Sequence, residues 1–505
     1  MMAGMDSPVD QDVLIVGAGL SGIGMAAHLQ MHSPDRSFAL VERRANLGGT
    51  WDLFRYPGIR SDSDMHTLGF VFEPWRHEKS IADGPSILEY LNRIVDERGI
   101  REHIRFNNKV VGADWDSAAA RWTVTMEDDK GAVSTTTARW LYLGSGYYDY
   151  DEPFDANFTG REDFAGQIIH PQFWPKDFDY SGKKVVVIGS GATAVTIVPS
   201  MADKAAHVTM LQRTPTWYAI RPAKDGFANF LRKILPEKTA YRLTRFKNIR
   251  LQDIVFRRAR EKPEKVADFL TKKLKQALGD RYDPVAFTPP YNPWDQRLCL
   301  VPDADFFEAM KAGKASVVTD HIERFDKTGI QLKSGQHLDA DVIITATGLK
   351  LAVAGKIPVR VDGEPVAWNE HFYYKACMFS NVPNFSVVFG YLNASWTLRA
   401  DIVSEYVCRV LNHMRDTGTT VATPLLADPT SLTEENIFDF SSGYIQRALH
   451  IMPKNADKLP WRLSQNYVQD RIDMRTGPVD DGVLKFGKAA AVSKEASAPA
   501  LEAAE

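Results

Sequence analysis

Asp12-Val-Leu-Ile-Val16-Gly17-Ala-Gly19-Leu-Ser21-Gly22 is the stretch from which the fold can be read. A short run rich in β-branched residues that stops at glycine has the pattern of a buried parallel strand. Ile23 to Met31 then suits a helix, and a second strand is expected over Ser37 to Glu42. Strand, glycine turn, helix and strand together make a βαβ unit that cradles a dinucleotide. Gly17 permits the turn, Gly19 lets backbone approach a pyrophosphate, Gly22 allows close helix packing, and the helix N-terminus faces the anion. The glycine cluster ends 20 residues before an acid, Glu42, at the end of the second strand.

The pattern recurs about 170 residues later. Lys184-Val-Val-Val-Ile188 leads into Gly189-Ser190-Gly191-Ala192-Thr193-Ala194, and a strand follows over His207 to Leu211. Between the copies, Val110 to Trp115 and Arg121 to Glu127 read as a meander, and Trp140 to Gly144 as a further strand. Ala340 to Gly348 is another buried strand ending at glycine. The expectation is an α/β fold with two Rossmann-like dinucleotide-binding domains. The strand ends assign the nucleotides. Glu42 can accept from both ribose hydroxyls, which suits FAD or NAD. The second unit has Gln212-Arg213-Thr214 there, a guanidinium without a carboxylate, which favours a 2′-phosphate and so NADPH. FAD is therefore expected in the first site and NADPH in the second.

Composition narrows the class. The 505 residues are 44% apolar and 25% charged, as in ordinary globular proteins with sizeable cores. The net charge of −3 gives no sign of a nucleic-acid partner. Cys299, Cys377 and Cys408 are too far apart in sequence for a CxxC redox pair or a CxxC zinc site, so no metal is expected. No apolar run is long enough for a spanning helix, and the first nine residues are too short and polar for a signal peptide, so the expected location is cytoplasmic.

One segment departs from this texture. Residues 227–275 hold fifteen Lys/Arg against five Asp/Glu, with breaks expected at Pro236 and Pro263. The first reading is a helical insertion with a solvated basic face. The second is peripheral membrane contact with anionic lipid. The expected division is a FAD-binding domain over 8–150 and 349–487, and an NADP-binding domain over 151–225 and 286–348. The helical insertion takes 226–285, and a disordered tail 488–505. Two chain crossings between the domains would act as a hinge.

Two further stretches carry a family resemblance. Phe164-Ala-Gly166-Gln-Ile-Ile-His170-Pro-Gln-Phe-Trp174-Pro175 fits FxGxxxHxxxW[P/D], and Gly48 to Asp62 fits [A/G]GxWxxxx[F/Y]P[G/M]xxxD. With both glycine motifs in order, the chain resembles the Baeyer–Villiger monooxygenases over roughly residues 10–485. Several stretches (Trp51 to Thr67, Gly189 to Arg213, Tyr291 to Pro302, Asn393 to Thr397) resemble the ethionamide-activating subgroup. The resemblance implies FAD contacts at Gly17, Gly19, Ser21, Gly22, Glu42, Thr50, Trp51, Asp52, Leu53, Asp62 and Val110. It implies NADP contacts at Arg60, Ser61, Asp62, Gly189, Ser190, Gly191, Ala192, Thr193, Ala194, Val195, Arg213 and Thr214. The catalytic arginine of the family matches Arg297, held by Asp62.

The implied chemistry is insertion of one oxygen atom of O2 into ketones through a C4a-peroxyflavin, giving esters or lactones, with thioethers or thioamides also oxidised. The rival is a nitrogen- or sulfur-oxygenating flavin monooxygenase. One residue departs from the pattern: Gln296 stands where better-known members carry a lysine that helps bind the 2′-phosphate, which shifts that recognition toward Arg213. His170 is expected to serve as an inter-domain element rather than a base, and Trp174 to pack. Asn393 to Thr397 is a candidate to line the pocket.

Overall fold

The computed structural model describes residues 9–438 and 440–489. Two sheets organise it. The first runs, in spatial order, Glu364–Pro365, Val359–Val361, Asn108–Asp116, Arg121–Asp128, Val133–Leu143, Gln11–Val16, Phe38–Val41, Ile104–Arg105, with Phe385–Val387 also pairing with Val133–Leu143. The second runs Ala315–Thr319, His207–Gln212, Lys184–Ile188, Val342–Thr345, Gln167–Ile169, every neighbouring pair parallel. The chain is α/β, with two Rossmann-like units and a helical insertion.

The two units are built alike because their sequences pose the same problem. Val13, Leu14 and Ile15 are wholly buried, and so is Val187, as strands covered on both faces must be. Each strand ends in a glycine with positive φ, Gly17 (99°) and Gly189 (133°). A Cβ at Gly17 would stand 2.7 Å from the Gly144 carbonyl oxygen, and one at Gly189 2.3 Å from that of Ala346. Each glycine N–H donates to the end of the next strand, Gly17 to Val41 and Gly189 to Leu211, both at 2.8 Å. Helices Leu20–His32 and Ala192–Met201 follow these turns.

Val133–Leu143 is shared. Its first half pairs antiparallel with Arg121–Asp128, and its second half runs parallel to Gln11–Val16 on one side and Phe385–Val387 on the other. Beyond Leu143 the chain crosses to the second sheet. It returns alongside its own outgoing path: Asp149 N–H donates to Lys350 O (2.8 Å) and Ala352 N–H to Tyr147 O (3.0 Å).

The basic segment forms three helices, Gly226–Ile234, Glu237–Glu261 and Pro263–Leu278, with Pro236 and Pro263 at the breaks. It is anchored rather than free. Tyr241 Oη donates to Phe70 O (2.8 Å), and Arg245 donates to His66 O (3.0 Å), Gly69 O (2.7 Å) and Asp401 (3.2 Å). Among the described residues no helix is long and apolar enough to cross a membrane. The tail expected to be disordered lies outside the described residues after Ala489.

Candidate active site

A cavity of about 1100 Å³ lies between the two glycine turns. That is above the roughly 300–1,000 Å³ of an ordinary ligand pocket, as a site for more than one large ligand would be. Among the expected site residues, Gly17, Gly19, Ser21, Glu42, Thr50, Trp51, Arg60, Ser61, Asp62 and Val110 line it from the first unit. Gly189, Ser190, Gly191, Ala192, Thr193, Arg213, Thr214 and Arg297 line it from the second.

Five expected residues do not face the cavity. Gly22 packs beneath the turn, where a Cβ would meet Gly17 O at 1.8 Å. The buried Asp52 carboxylate is taken up by Arg44 (2.7 Å) and Arg55. Leu53 belongs to the apolar core under the second sheet. Ala194 and Val195 point into that same core, wholly buried.

Glu42 closes the far end of the first half. Its carboxylate accepts the N–H groups of Ala18 (2.8 Å) and Arg44 (2.9 Å), and burial raises its pKa against the pull of those bonds. The matching position in the second unit divides in two. The Gln212 side chain is buried and donates to Ala286 O (2.7 Å) and Thr319 Oγ1 (2.9 Å), so it is structural. Arg213 is exposed to the cavity. Arg447 faces it from the C-terminal part of the chain, its pKa lowered by burial and by the nearby Arg213 charge.

At the centre, Arg297 Nη1 donates to Asp62 Oδ2 at 3.1 Å. Burial opposes the Arg297 charge, but its neighbours Tyr444, Tyr147 and Asp62 more than offset this and keep its pKa above the ordinary arginine value. Its Nε is buried without an acceptor, so part of the fork is unspent. An unspent donor beside an anchored one can receive a developing negative charge. The glycine cradles, the Glu42 carboxylate and this orphaned donor fit a bound dinucleotide pair.

An aromatic wall surrounds the pair; sequence reading singles out Trp396 in it and misses its tyrosines. The Tyr147 ring stacks on Trp396 (centroids 4.8 Å apart, 13°), and its hydroxyl bonds that of Tyr148. Trp396 Nε1 donates to Ser21 Oγ at 2.8 Å. Asn393, Ala394 and Trp396 line the cavity, whereas Ser395 and Thr397 are buried below it. His170 does not line it: its Nδ1 accepts the Gln172 N–H (3.2 Å), and Gln172 Nε2 donates to Asp149 O (2.8 Å) at the chain crossing. Trp174 packs edge-on against Phe178. At Gly166 a Cβ would collide with Asp341 O at 2.3 Å, so that position of the motif keeps an edge strand in place.

Residues 14–240 match the pyridine nucleotide-disulphide oxidoreductase family. The FAD-containing monooxygenase EthA of Mycobacterium tuberculosis (strain H37Rv) is 51% identical over 480 residues, 94% of this chain and 98% of that protein. The chain belongs to the FAD-containing monooxygenase family. Within the matched 14–240 there is no cysteine, so the dithiol of a disulfide reductase has no counterpart there. The fold is also that of an oxidised steroid monooxygenase bound to NADP (TM-score 0.77, 22% identity, 95% of this chain and 99% of that one). OTEMO in complex with FAD and NADP is similar as well (TM-score 0.68, 24% identity, 84% and 88%).

Proposed function

We propose that this monooxygenase is a Baeyer–Villiger enzyme, dependent on FAD and NADPH, that converts ketones to esters or lactones and also oxidises thioethers or thioamides. The observation that carries the reading is the Arg297–Asp62 pair in the cavity between the two glycine turns, with one guanidinium donor unspent.

FAD held along Gly17, Gly19, Glu42 and Thr50, and reduced by NADPH, would supply the activated dioxygen. The protein's own part is electrostatic. A carbonyl oxidised there would gain negative charge, and the fixed Arg297 fork would stabilise that charge where it develops. Asp62 holds that fork by a charge-assisted hydrogen bond and keeps it from swinging away. Tyr147, Tyr148, Tyr444 and Trp396 exclude water from the reacting centre. Arg213, with Thr214, recognises the 2′-phosphate of NADPH, because Gln296 brings no positive charge.

The test is turnover of the FAD-loaded enzyme with NADPH, a simple ketone and isotopically heavy dioxygen. The expected result is an ester or lactone carrying one heavy oxygen atom. If ketones return unchanged while amines or thioethers gain the label, the enzyme is a heteroatom oxygenase instead. Consumption of NADPH with no labelled product overturns both.

A further inference from the structure

The insertion that sequence reading left between two interpretations has an outer face that bears on the choice. Nine of the sixteen exposed large apolar side chains among the described residues lie within 227–269. Phe227, Phe230 and Ile234, spaced by three and four, share one side of Gly226–Ile234. Leu243, Phe246 and Ile254 share one side of the adjoining Glu237–Glu261. The first helix is fixed to the protein through the buried Ala228 and Leu231, and the second, on its opposite side, through Tyr241, Arg245 and Asn248.

Cations accompany the apolar residues. Lys247 Nζ lies 4.5 Å from the Phe227 ring centroid and the Arg250 guanidinium 5.5 Å from that of Phe246. Most of the acidic groups nearby are matched: Asp225 pairs with Lys247 (3.1 Å), Asp253 with Arg257 (2.9 Å) and Glu237 with Arg76 (3.0 Å). Lys233, Arg242, Arg250 and Arg258 remain exposed, leaving the face positive.

We propose that the helical pair 226–261 is a docking surface for an anionic lipid bilayer. Exposed aromatic and aliphatic side chains enter the headgroup boundary, while lysine and arginine stems lie along them and bring their charges to lipid phosphates. A protein partner would need a matching acidic and apolar face, whereas a bilayer presents both by its nature. Because Arg245 and Tyr241 hold the second helix rigidly, the surface is formed before contact. The inner side of that helix borders the cavity: Gln252 lines it, and Phe256 packs edge-on against Trp294, three residues before Arg297. Docking therefore sets the active site beside a reservoir of apolar substrates.

The experiment is sedimentation of the FAD-loaded enzyme with vesicles of phosphatidylcholine alone and of phosphatidylcholine mixed with phosphatidylglycerol. Binding is expected to the mixed vesicles only, falling as salt rises. Lys233→Gln and Arg250→Gln should each weaken it about fivefold, and Phe230→Ser with Phe246→Ser should weaken it further, with flavin content and circular dichroism unchanged. The proposal fails if the wild type stays in solution with both vesicles at low salt, or if the variants bind as well as the wild type. It fails equally if analytical ultracentrifugation shows that Phe230→Ser and Phe246→Ser split a dimer without changing lipid binding, which would assign the face to a second copy of the chain.

Discussion

Asp62 and Arg297 are 235 positions apart in sequence and joined by a hydrogen bond of 3.1 Å across the two nucleotide-type units. Neither position belongs to a helix or strand. Arg297→Ala should retain FAD and NADPH oxidation yet lose oxygenated product by about 10²–10³ in rate, the scale for removing a fixed donor at a developing oxyanion. Asp62→Asn should lose less, because the guanidinium survives with a weaker anchor. Product yield per NADPH consumed distinguishes both from misfolding.

Gly22 tests the first turn. Its Cβ would stand 1.8 Å from Gly17 O, so Gly22→Ala must push the helix off the strand, costing about 1–3 kcal/mol or more. A lower melting temperature and reduced flavin per polypeptide are expected. Gly191 has nothing within 4 Å of its Cβ, so Gly191→Ala should leave the melting temperature unchanged.

Arg213 should set the choice of nicotinamide nucleotide. A charged hydrogen bond contributes about 1.5–3 kcal/mol, so Arg213→Gln should raise the KM for NADPH roughly ten- to a hundredfold. The KM for NADH should hardly move. Gln296→Lys restores a cation to the cavity and should shift preference further toward NADPH. A variant Arg213→Gln that still discriminates would move the recognition to Arg447.

Burial pushes the thiols of Cys299, Cys377 and Cys408 up to about 12. An acid whose pKa is raised stays protonated until pH approaches that value, so all three thiols are neutral and unreactive at pH 8. Iodoacetamide at that pH should leave the native mass unchanged and add three groups after unfolding.

Arg245 is buried against Asp401, which also accepts from Val71 N–H (3.0 Å) and meets His28 Nε2 (3.1 Å). Arg245→Met strips a partner from a buried carboxylate and should cost about 3–5 kcal/mol. Thermal melting measures it, and a change below about 1 kcal/mol would show the insertion is not anchored there.

Much of this architecture is legible because its signals are local. Lys184 to Ile188 reads directly as the strand it forms, and the glycines announce both turns. Pro236 and Pro263 mark the helix breaks because a proline cannot continue the preceding turn. The tyrosines of the aromatic wall were not legible. Tyr147 and Tyr148 sit in a crossing segment and Tyr444 in a short C-terminal helix, and they meet through tertiary folding with no shared period or spacing. Asp52 and Leu53 turn away from the cavity for the converse reason. They fall inside a fingerprint whose helical turn, Thr50–Leu53, presents Thr50 and Trp51 to the cavity and turns the next two inward.

The loop that carries Asp62 is bonded to its own unit through Ser61 and Ala82 (2.8 Å) and gripped by the opposite unit as well. Arg60 pairs with Asp305, and a Cβ at Gly58 would overlap Ser200 Oγ at 1.8 Å. The two halves are consequently not interchangeable modules. A chimaera that grafts the nicotinamide half of one relative onto the flavin half of another must bring residues 56–62 with the graft, or the seam will close on the wrong side chains. The inheritable block in this enzyme is a sheet together with a piece of its neighbour.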